Sequence, residues 1–179
     1  MHREWSRLVS AESLAALDHL QWLRTGSLAG EALNCSQSRI CRAAKRCEEV
    51  LQIQLTKVDS EWITTGDTTL LAAERHVHQH YRWSKAQPLR LDGHPALLHE
   101  LHVLQPLGWC CGNLDNTCDQ RLSYLMEQRI LDAWLGVDAN SEYQLTIQSD
   151  FARHHRAQAL ADHLSEHLGR AVTIIEAIN

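Results

Sequence analysis

Residues 36–51, SQSRICRAAKRCEEVL, constrain the fold of this chain more than any other stretch. On a helix with 100° of turn per residue, they form one narrow apolar stripe. That stripe consists of Ile40, Ala44, Cys47 and Leu51. The opposite side is basic and carries Ser38, Arg39, Arg42, Lys45 and Arg46. Ser36 suits the N-cap, because its hydroxyl can accept an N–H from the first turn.

A helix with an apolar back and a basic front has the layout of a DNA-recognition helix. Its N-terminal polar residues would reach base edges, and its arginines would reach phosphates. The predicted DNA-binding residues are Ser36, Gln37, Ser38, Arg39, Arg42, Lys45 and Arg46. An ordinary amphipathic helix with a solvated basic face has the same pattern, so this helix alone leaves both interpretations open.

The residues before this helix predict two further helices and a tight turn. The first spans 13–24 and ends at Thr25-Gly26, because glycine readily takes the left-handed conformation after a helix. Ser27 is predicted to cap a second helix over 28–33, and Asn34-Cys35 make the turn. Together with residues 36–51, these elements form a helix-turn-helix pattern.

Two short β-like runs, 54–57 and 62–64, follow the basic helix and predict a hairpin, or wing. Its tip is acidic, with Asp59 and Glu61. Residues 67–85 then predict a long helix that ends before Gln87-Pro88. Apolar residues recur along it at the a and d spacing of a coiled coil, which predicts a dimerisation surface. These residues are Leu70, Ala73, Val77 and Tyr81.

The order and spacing of several short motifs resemble the DNA-binding domain of LysR-type transcriptional regulators. The motifs are Gly26-Ser27-Leu28, Ala32-Leu33, Ser36-Gln37-Ser38, Cys41-Arg42, Cys47-Glu48-Glu49, Leu51, Leu55 and Ile63-Thr64-Thr65-Gly66. The resemblance covers about residues 14–86. The chain departs from the LysR-type pattern in three ways. Its second helix is two residues shorter, its wing is acidic, and different residues stand at Cys41, Cys47, Gln52 and Thr56.

The resemblance implies a mainly α N-terminal winged helix-turn-helix with a linker helix, followed by a small α/β domain. The implied boundaries are 1–66 for DNA binding, 67–87 for the linker and dimerisation helix, and 88–179 for a truncated effector-like domain. It also implies a transcriptional regulator that binds double-stranded DNA as a homodimer. Because only one lobe of the family's two-lobed effector domain fits in the remaining length, effector binding is not carried over.

The C-terminal residues agree with an α/β domain. Helices are predicted over 95–104, 122–135 and 152–168, with Gly169 ending the last one. Strands are predicted over 107–111, 143–147 and 171–178. The final strand, helix and strand form a βαβ unit, which implies a parallel pair of strands.

The composition excludes some classes of protein. The formal net charge is −5, so any DNA-binding surface must be local rather than spread over the whole chain. No run of about 18 apolar residues predicts a membrane span, and the N-terminus lacks the apolar region of a signal peptide. We therefore expect a cytoplasmic protein whose six cysteines are reduced thiols.

No catalytic constellation, metal or cofactor is predicted. Asp150 lies one turn from His154 and His155, but no nucleophile accompanies them. Cys110, Cys111 and Cys118, with the upstream histidines His94, His99 and His102, invite a zinc interpretation, but their spacing is not that of paired zinc ligands. Cys35 and Cys41 lie near a helix N-terminus beside arginines, so a redox switch is a further alternative.

A different class of function remains open. The short second helix, the acidic wing and the missing lobe fit a degenerate relative that acts as a protein-interaction module without DNA binding. Salt-dependent binding to duplex DNA separates this alternative from a transcriptional regulator.

Overall fold

The computed structural model describes residues 9–85, 87–94, 97, 108–112 and 119–177. The chain divides into two compact units, residues 1–78 and residues 79–179. One long helix, α4, contributes residues to both. The division into 1–66, 67–87 and 88–179 stays a prediction.

The N-terminal unit consists of helices and one hairpin. Its helices are α1 (Ala11–Leu23), α2 (Gly26–Ala32), α3 (Gln37–Leu51) and the first part of α4 (Thr69–Ser84). Strands β1 (Ile53–Val58) and β2 (Glu61–Gly66) form an antiparallel hairpin between α3 and α4. The core contains Leu14, Ala16, Leu17, Leu20, Ala29, Ile40, Ala44, Cys47, Leu51, Ile53 and Leu71.

The boundary between α1 and α2 differs from the prediction. Arg24, not a glycine, takes the left-handed conformation after α1, with φ 65°. Gly26 begins α2, and Thr25 rather than Ser27 caps it by accepting the Leu28 N–H at 3.2 Å. The second helix is therefore not confined to 28–33, because the Thr25 hydroxyl lets it start at Gly26.

Gly30 explains how the chain turns from α2 into α3. The Cys35 N–H donates to the Gly30 carbonyl at 2.7 Å, and a Cβ at Gly30 would lie 2.5 Å from the Cys35 carbonyl oxygen. No side chain fits at that distance from a backbone atom. Asn34, with φ 49°, completes the tight turn.

The C-terminal unit is built on a mixed five-stranded sheet in the order β4-β3-β5-β6-β7. These strands are β3 (Leu89–Gly93), β4 (Trp109–Cys111), β5 (Ala133–Val137), β6 (Tyr143–Gln148) and β7 (Val172–Ala177). Among the described residues of this unit, the helices are α5 (Asp119–Glu127), α6 (His155–Leu168) and the last part of α4. Strand β3 is parallel to β4 and β5, β6 is antiparallel to β5, and β7 is parallel to β6.

The prediction of one helix over 122–135 is wrong. Helix α5 ends at Glu127, and Arg129 takes the left-handed conformation with φ 56°. Trp134 then lies in β5, which pairs with both β3 and β6. Leu122, Met126, Ile130 and Trp134 recur every four residues, as they would on one helix. In the structure, Leu122 and Met126 lie on the helix, Ile130 lies in the buried turn that follows, and Trp134 lies in a central strand.

Other C-terminal predictions hold with shifted limits. Strand β6 and strand β7 with the intervening helix form the predicted parallel unit. Helix α6 begins at His155 rather than Ala152, because His154 is its N-cap and a 3₁₀ turn over Ser149–Phe151 precedes it. The predicted helix over 95–104 lies outside the described residues except for Leu97, which is buried. None of the helices that the structure describes is long and apolar enough to cross a membrane.

Candidate nucleic-acid interface

The back of α3 is buried as the sequence predicted. Ile40, Ala44, Cys47 and Leu51 are all buried, and they pack in the core of the N-terminal unit. Burial, and after it the nearby Asp18 carboxylate, raise the pKa of the Cys47 thiol to about 12. This thiol therefore stays neutral and serves as an apolar packing group.

The front of α3 faces solvent. Six of the seven predicted DNA-binding residues are exposed, namely Ser36, Gln37, Ser38, Arg39, Arg42 and Lys45, and Arg46 is half-buried. The helix thus presents basic side chains along one side while its other side anchors it. No observation on the isolated chain tests whether these residues contact DNA, so their role stays a prediction.

The first turn of α3 is held by its cap and by a close approach to α2. Ser36 Oγ accepts the Arg39 N–H at 3.3 Å and lies 3.1 Å from Ser38 Oγ. A Cβ at Gly26 would lie 2.8 Å from Gln37 Cγ, so α2 restricts the position of the Gln37 side chain. These contacts orient the residues that a recognition helix would direct at bases.

Arg39 has a partner that the sequence did not indicate. Its Nη2 lies 2.9 Å from Glu12 Oε2, in the first turn of α1, and the two side chains are 63% and 81% exposed. An exposed pair of this kind contributes about 0–1 kcal/mol. A phosphate or base that offers a better acceptor can therefore displace Glu12.

One of the two glutamates that follow the basic face is directed away from it. Glu48 Oε1 accepts the Leu55 N–H at 2.7 Å, which ties the end of α3 to β1. Glu49 is exposed in the last turn of the helix. Of these two glutamates, Glu49 is therefore the one that adds negative charge beside the basic face.

The hairpin tip is less acidic than predicted. Asp59 and Ser60 form a two-residue turn with φ 47° and 73°, and Asp59 is exposed. Glu61 does not extend from the tip, because its carboxylate binds Arg24 with an N–O distance of 2.5 Å. Lys57 lies over the Trp62 ring, 5.5 Å from its centroid. The hairpin therefore offers one carboxylate at its tip rather than two.

Hydrogen bonds fasten the hairpin to α1. Trp62 Nε1 donates to the Arg24 carbonyl, and Gln21 Nε2 donates to the Trp62 carbonyl, both at 2.9 Å. These bonds fix the angle of β2 relative to α1. With the Glu48–Leu55 bond, the hairpin is therefore tied to both α1 and α3.

A buried ion pair in the N-terminal unit joins α4 to α1. Arg75 Nε lies 2.9 Å from Asp18 Oδ1, Arg75 Nη2 donates to Gln21 Oε1, and all three side chains are about 1% exposed. The sequence analysis missed this cluster. The available signal was Asp18 itself, a charged residue between the apolar Leu17 and Leu20 of α1.

The apolar stripe predicted for dimerisation lies on the exposed side of α4. Leu70, Val77 and Tyr81 are 61%, 63% and 51% exposed, and Ala73 beside them is exposed as well. Large apolar side chains that lie exposed in a row are candidates for an interaction surface. The dimer itself stays a prediction.

The cysteines that the structure describes are free thiols: Cys35, Cys41, Cys47, Cys110 and Cys111. Burial raises the pKa of Cys110, and it raises that of Cys111 to about 12. This environment opposes the thiolate form that zinc requires. The remaining members of the zinc alternative, Cys118, His99 and His102, lie outside the described residues.

The chain was compared with family models, curated proteins and solved structures. No family model and no curated protein matches it. Solved structures that it resembles include a full-length OxyR variant from Pseudomonas aeruginosa, at 17% identity and a TM-score of 0.45 over 72% of this chain. ArgP from Mycobacterium tuberculosis is similar at 14% identity and a TM-score of 0.40 over 74% of this chain. The chain spans 50% of the length of each of these two proteins.

A third solved structure is CrgA, a LysR-type transcriptional regulator from Neisseria meningitidis. The two proteins are 19% identical, with a TM-score of 0.29. The match covers 72% of this chain and 49% of CrgA.

Proposed function

We propose that this chain is a LysR-type transcriptional regulator whose N-terminal unit is a winged helix-turn-helix that binds duplex DNA through α3. One observation carries the proposal. The apolar side of α3 is buried, while its basic side, with Arg39, Arg42 and Lys45, is exposed. A helix anchored by its back and charged on its front fits the major groove of B-DNA.

Within this proposal, the residues of α3 divide into two groups. Gln37, Ser38 and Arg39 occupy the first turn and would read base edges, since the N-terminal residues of a recognition helix point into the groove. Arg42, Lys45 and Arg46 lie further along and would contact phosphates. The hairpin β1–β2 would be the wing, and its remaining tip carboxylate, Asp59, reduces the contribution that a wing makes to phosphate binding.

The proposal includes a homodimer formed through α4. Leu70, Val77 and Tyr81 supply an exposed apolar stripe that a second copy would cover. Two recognition helices in one dimer read two half-sites, and this supplies the specificity that one short half-site lacks.

The LysR-type assignment draws on the order of motifs between Gly26 and Gly66 and on the sequence of elements α1 to α4. The C-terminal unit contributes one mixed α/β sheet, in keeping with a single lobe. The proposal assigns no effector to that unit and no catalytic role to the chain.

A second candidate is a protein-interaction module without DNA binding. The observation that favours it is the Arg39–Glu12 ion pair, because a base-reading arginine with an acidic partner must first leave it. The exposed carboxylate of Asp59 at the hairpin tip favours it as well.

Binding to duplex DNA across a salt series tests the proposal. Fluorescence anisotropy with a labelled random-sequence duplex measures nonspecific binding between about 50 and 200 mM salt, where a protein that contacts several phosphates loses orders of magnitude in affinity. Three phosphate contacts per subunit in a dimer predict a log–log slope of about −5. Arg42→Gln should flatten that slope by about one unit for each contact removed.

The matched control is Arg153→Gln, which removes an exposed arginine of the C-terminal unit. It should leave the slope unchanged. Absence of binding by the folded wild-type protein at about 50 mM salt would contradict the proposal and favour the interaction module.

A further inference from the structure

Two histidines and a carboxylate meet at the exposed surface of α4. His76 and His80 lie one turn apart on this continuous helix, so their side chains occupy the same face. Asp150 lies in the 3₁₀ turn over Ser149–Phe151, and its Oδ2 is 3.9 Å from His80 Nε2. One ligand atom from each of the three exposed residues lies within 4.8 Å of the other two. No other group of three such side chains comes this close among the residues that the structure describes.

Buried neighbours in the C-terminal unit hold His80 and Asp150 side by side. The His80 ring packs edge-on against Phe151, with 4.8 Å between the ring centroids. Phe151 is buried and stacks on Trp83, with 4.9 Å between the centroids and 6° between the ring planes. Because Asp150 directly precedes Phe151, the packing that orients the His80 ring also positions the carboxylate beside it.

The donor set suits a divalent ion of a late first-row transition metal. Two imidazoles at i and i+4 on one helix can bind the same ion, and a carboxylate can supply a third ligand. Imidazole suits Ni²⁺, Cu²⁺ and Zn²⁺, whereas Mg²⁺ and Ca²⁺ prefer oxygen ligands. Bonds of about 2.1 Å place ligand atoms about 3 Å apart, so these atoms must approach by about 1–2 Å. Exposed side chains can do so by small rotations about their χ angles.

One cation also faces the carboxylate. Arg129 Nη1 lies 3.7 Å from Asp150 Oδ2, but it donates a hydrogen bond of 2.7 Å to Gln79 Oε1. Gln79 therefore anchors the guanidinium, and the pair with Asp150 is long and partly exposed, which makes it weak. A metal ion can replace Arg129 at the carboxylate and leave the bond to Gln79 in place.

We propose that His76, His80 and Asp150 bind one divalent ion of a late first-row transition metal, with water completing its coordination. The ion joins α4 to the 3₁₀ turn that carries Asp150, so its binding stabilises the folded protein. This site is separate from the basic side of α3 and does not depend on DNA binding.

Calorimetric titration of the untagged protein with NiCl₂ tests the proposal. Nickel is the probe because thiolates favour zinc, and Cys41 is exposed. The wild type should bind one ion per chain. His76→Ala, His80→Ala and Asp150→Asn should each weaken binding about tenfold or more, because even the loss of a residue that only orients a ligand costs about tenfold.

Two other histidines provide matched controls. His78 lies on a different face of α4, where its Nε2 is 3.6 Å from Glu74 Oε2. His163 and His167 form a second pair at i and i+4, on α6, and the described residues form no group of three ligands there. His78→Ala and His167→Ala should both retain the wild-type affinity for nickel.

Thermal unfolding followed by circular dichroism gives a second measure that does not depend on the heat of binding. NiCl₂ at about 100 µM should raise the Tm of the wild type and of His78→Ala, because the ion binds only the folded protein. It should not raise the Tm of Asp150→Asn.

Three results would overturn the proposal. The first is absence of binding by the folded wild type at about 1 mM NiCl₂. The second is wild-type affinity in the three variants that each remove a ligand. The third is an equal loss of affinity in His78→Ala, which would mean that the histidines of α4 bind nickel without a defined site.

Discussion

Helices α3 and α4 have opposite distributions of charge. Helix α3 buries the small and aliphatic residues Ile40 and Ala44 and exposes arginines and a lysine. Helix α4 buries Arg75 in the N-terminal unit and Arg82 in the C-terminal unit, and it exposes large apolar residues such as Val77. Each helix is amphipathic, but the buried side is apolar in one and includes charges in the other.

The exposed sides therefore suit different partners. A charged face is stable in water by itself and attracts a polyanion, with a strength that salt reduces. An exposed apolar stripe gains free energy only when another surface covers it. This difference is the reason why we propose DNA as the partner of α3 and a second copy of the chain as the partner of α4.

The buried sides differ in what they require. The back of α3 needs only well-packed apolar neighbours. The arginines of α4 need carboxylates: Arg75 has Asp18, and Arg82 binds Asp132 through two bonds of 2.9 Å. Asp132 also accepts the Arg90 N–H at 2.9 Å, so in the C-terminal unit the pair is joined to the sheet backbone.

The largest expected effect is on stability. Asp18→Ala leaves Arg75 buried without its carboxylate, which should lower the free energy of unfolding by about 3–5 kcal/mol. Urea denaturation followed by circular dichroism measures this. Glu12→Ala, which removes the partner of the exposed Arg39, should cost less than about 1 kcal/mol.

The double variant Asp18→Ala/Arg75→Met should recover part of the loss, because apolar residues often replace a buried ion pair at little cost. If the free energy of unfolding of Asp18→Ala is within about 1 kcal/mol of the wild-type value, the buried ion pair is not what holds α4 to α1.

Next in size is the effect of charging the α4 stripe. Val77→Glu puts a carboxylate in the proposed dimer surface, so the protein should become monomeric at about 10 µM and lose about a hundredfold in DNA affinity, since it can no longer bind two half-sites at once. Light scattering coupled to gel filtration gives the mass. Ala72→Glu adds the same charge at an exposed α4 position outside the stripe, and it should remain dimeric. A wild-type protein that is monomeric at this concentration would show that the stripe has no partner in a second copy.

The smallest effect concerns thiol reactivity on the two sides of α3. Cys41 is exposed, whereas Cys47 is fully buried with a pKa raised to about 12. At pH 8, iodoacetamide should modify Cys41 in the native protein and Cys47 only after unfolding, because burial withholds both access and the thiolate. Peptide mass spectrometry separates the two sites. Equal labelling of Cys41 and Cys47 in the native protein would mean that the reagent reaches the buried side of α3.

Local periodicity predicted the features that depend on one element at a time. The buried stripe of α3, the hairpin and the exposed stripe of α4 each follow from residues a few positions apart. The Ser36 cap was predictable for the same reason, since its hydroxyl acts within one turn.

Features that depend on distant residues were not predictable in this way. Asp18 and Arg75 are separated by 57 positions, and Arg82 and Asp132 by 50, so neither pair leaves a local pattern. The stretch 122–135 was assigned to one helix because an apolar period does not reveal where Arg129 reverses the backbone. At the site itself, the Arg39–Glu12 contact was missed because it joins α3 to α1 across 27 positions.

Selection of bound duplexes from a random pool, by the wild-type protein and by two variants, tests the central claim most directly. The wild type should enrich a motif. Arg39→Ala should relax that motif at one position per half-site and cost about 1–3 kcal/mol, whereas Arg42→Ala should retain the motif at lower affinity for all sequences. If both variants keep the affinity and sequence preference of the wild type, α3 is not the helix that reads DNA. If the folded wild type enriches nothing, the chain is not a sequence-specific regulator.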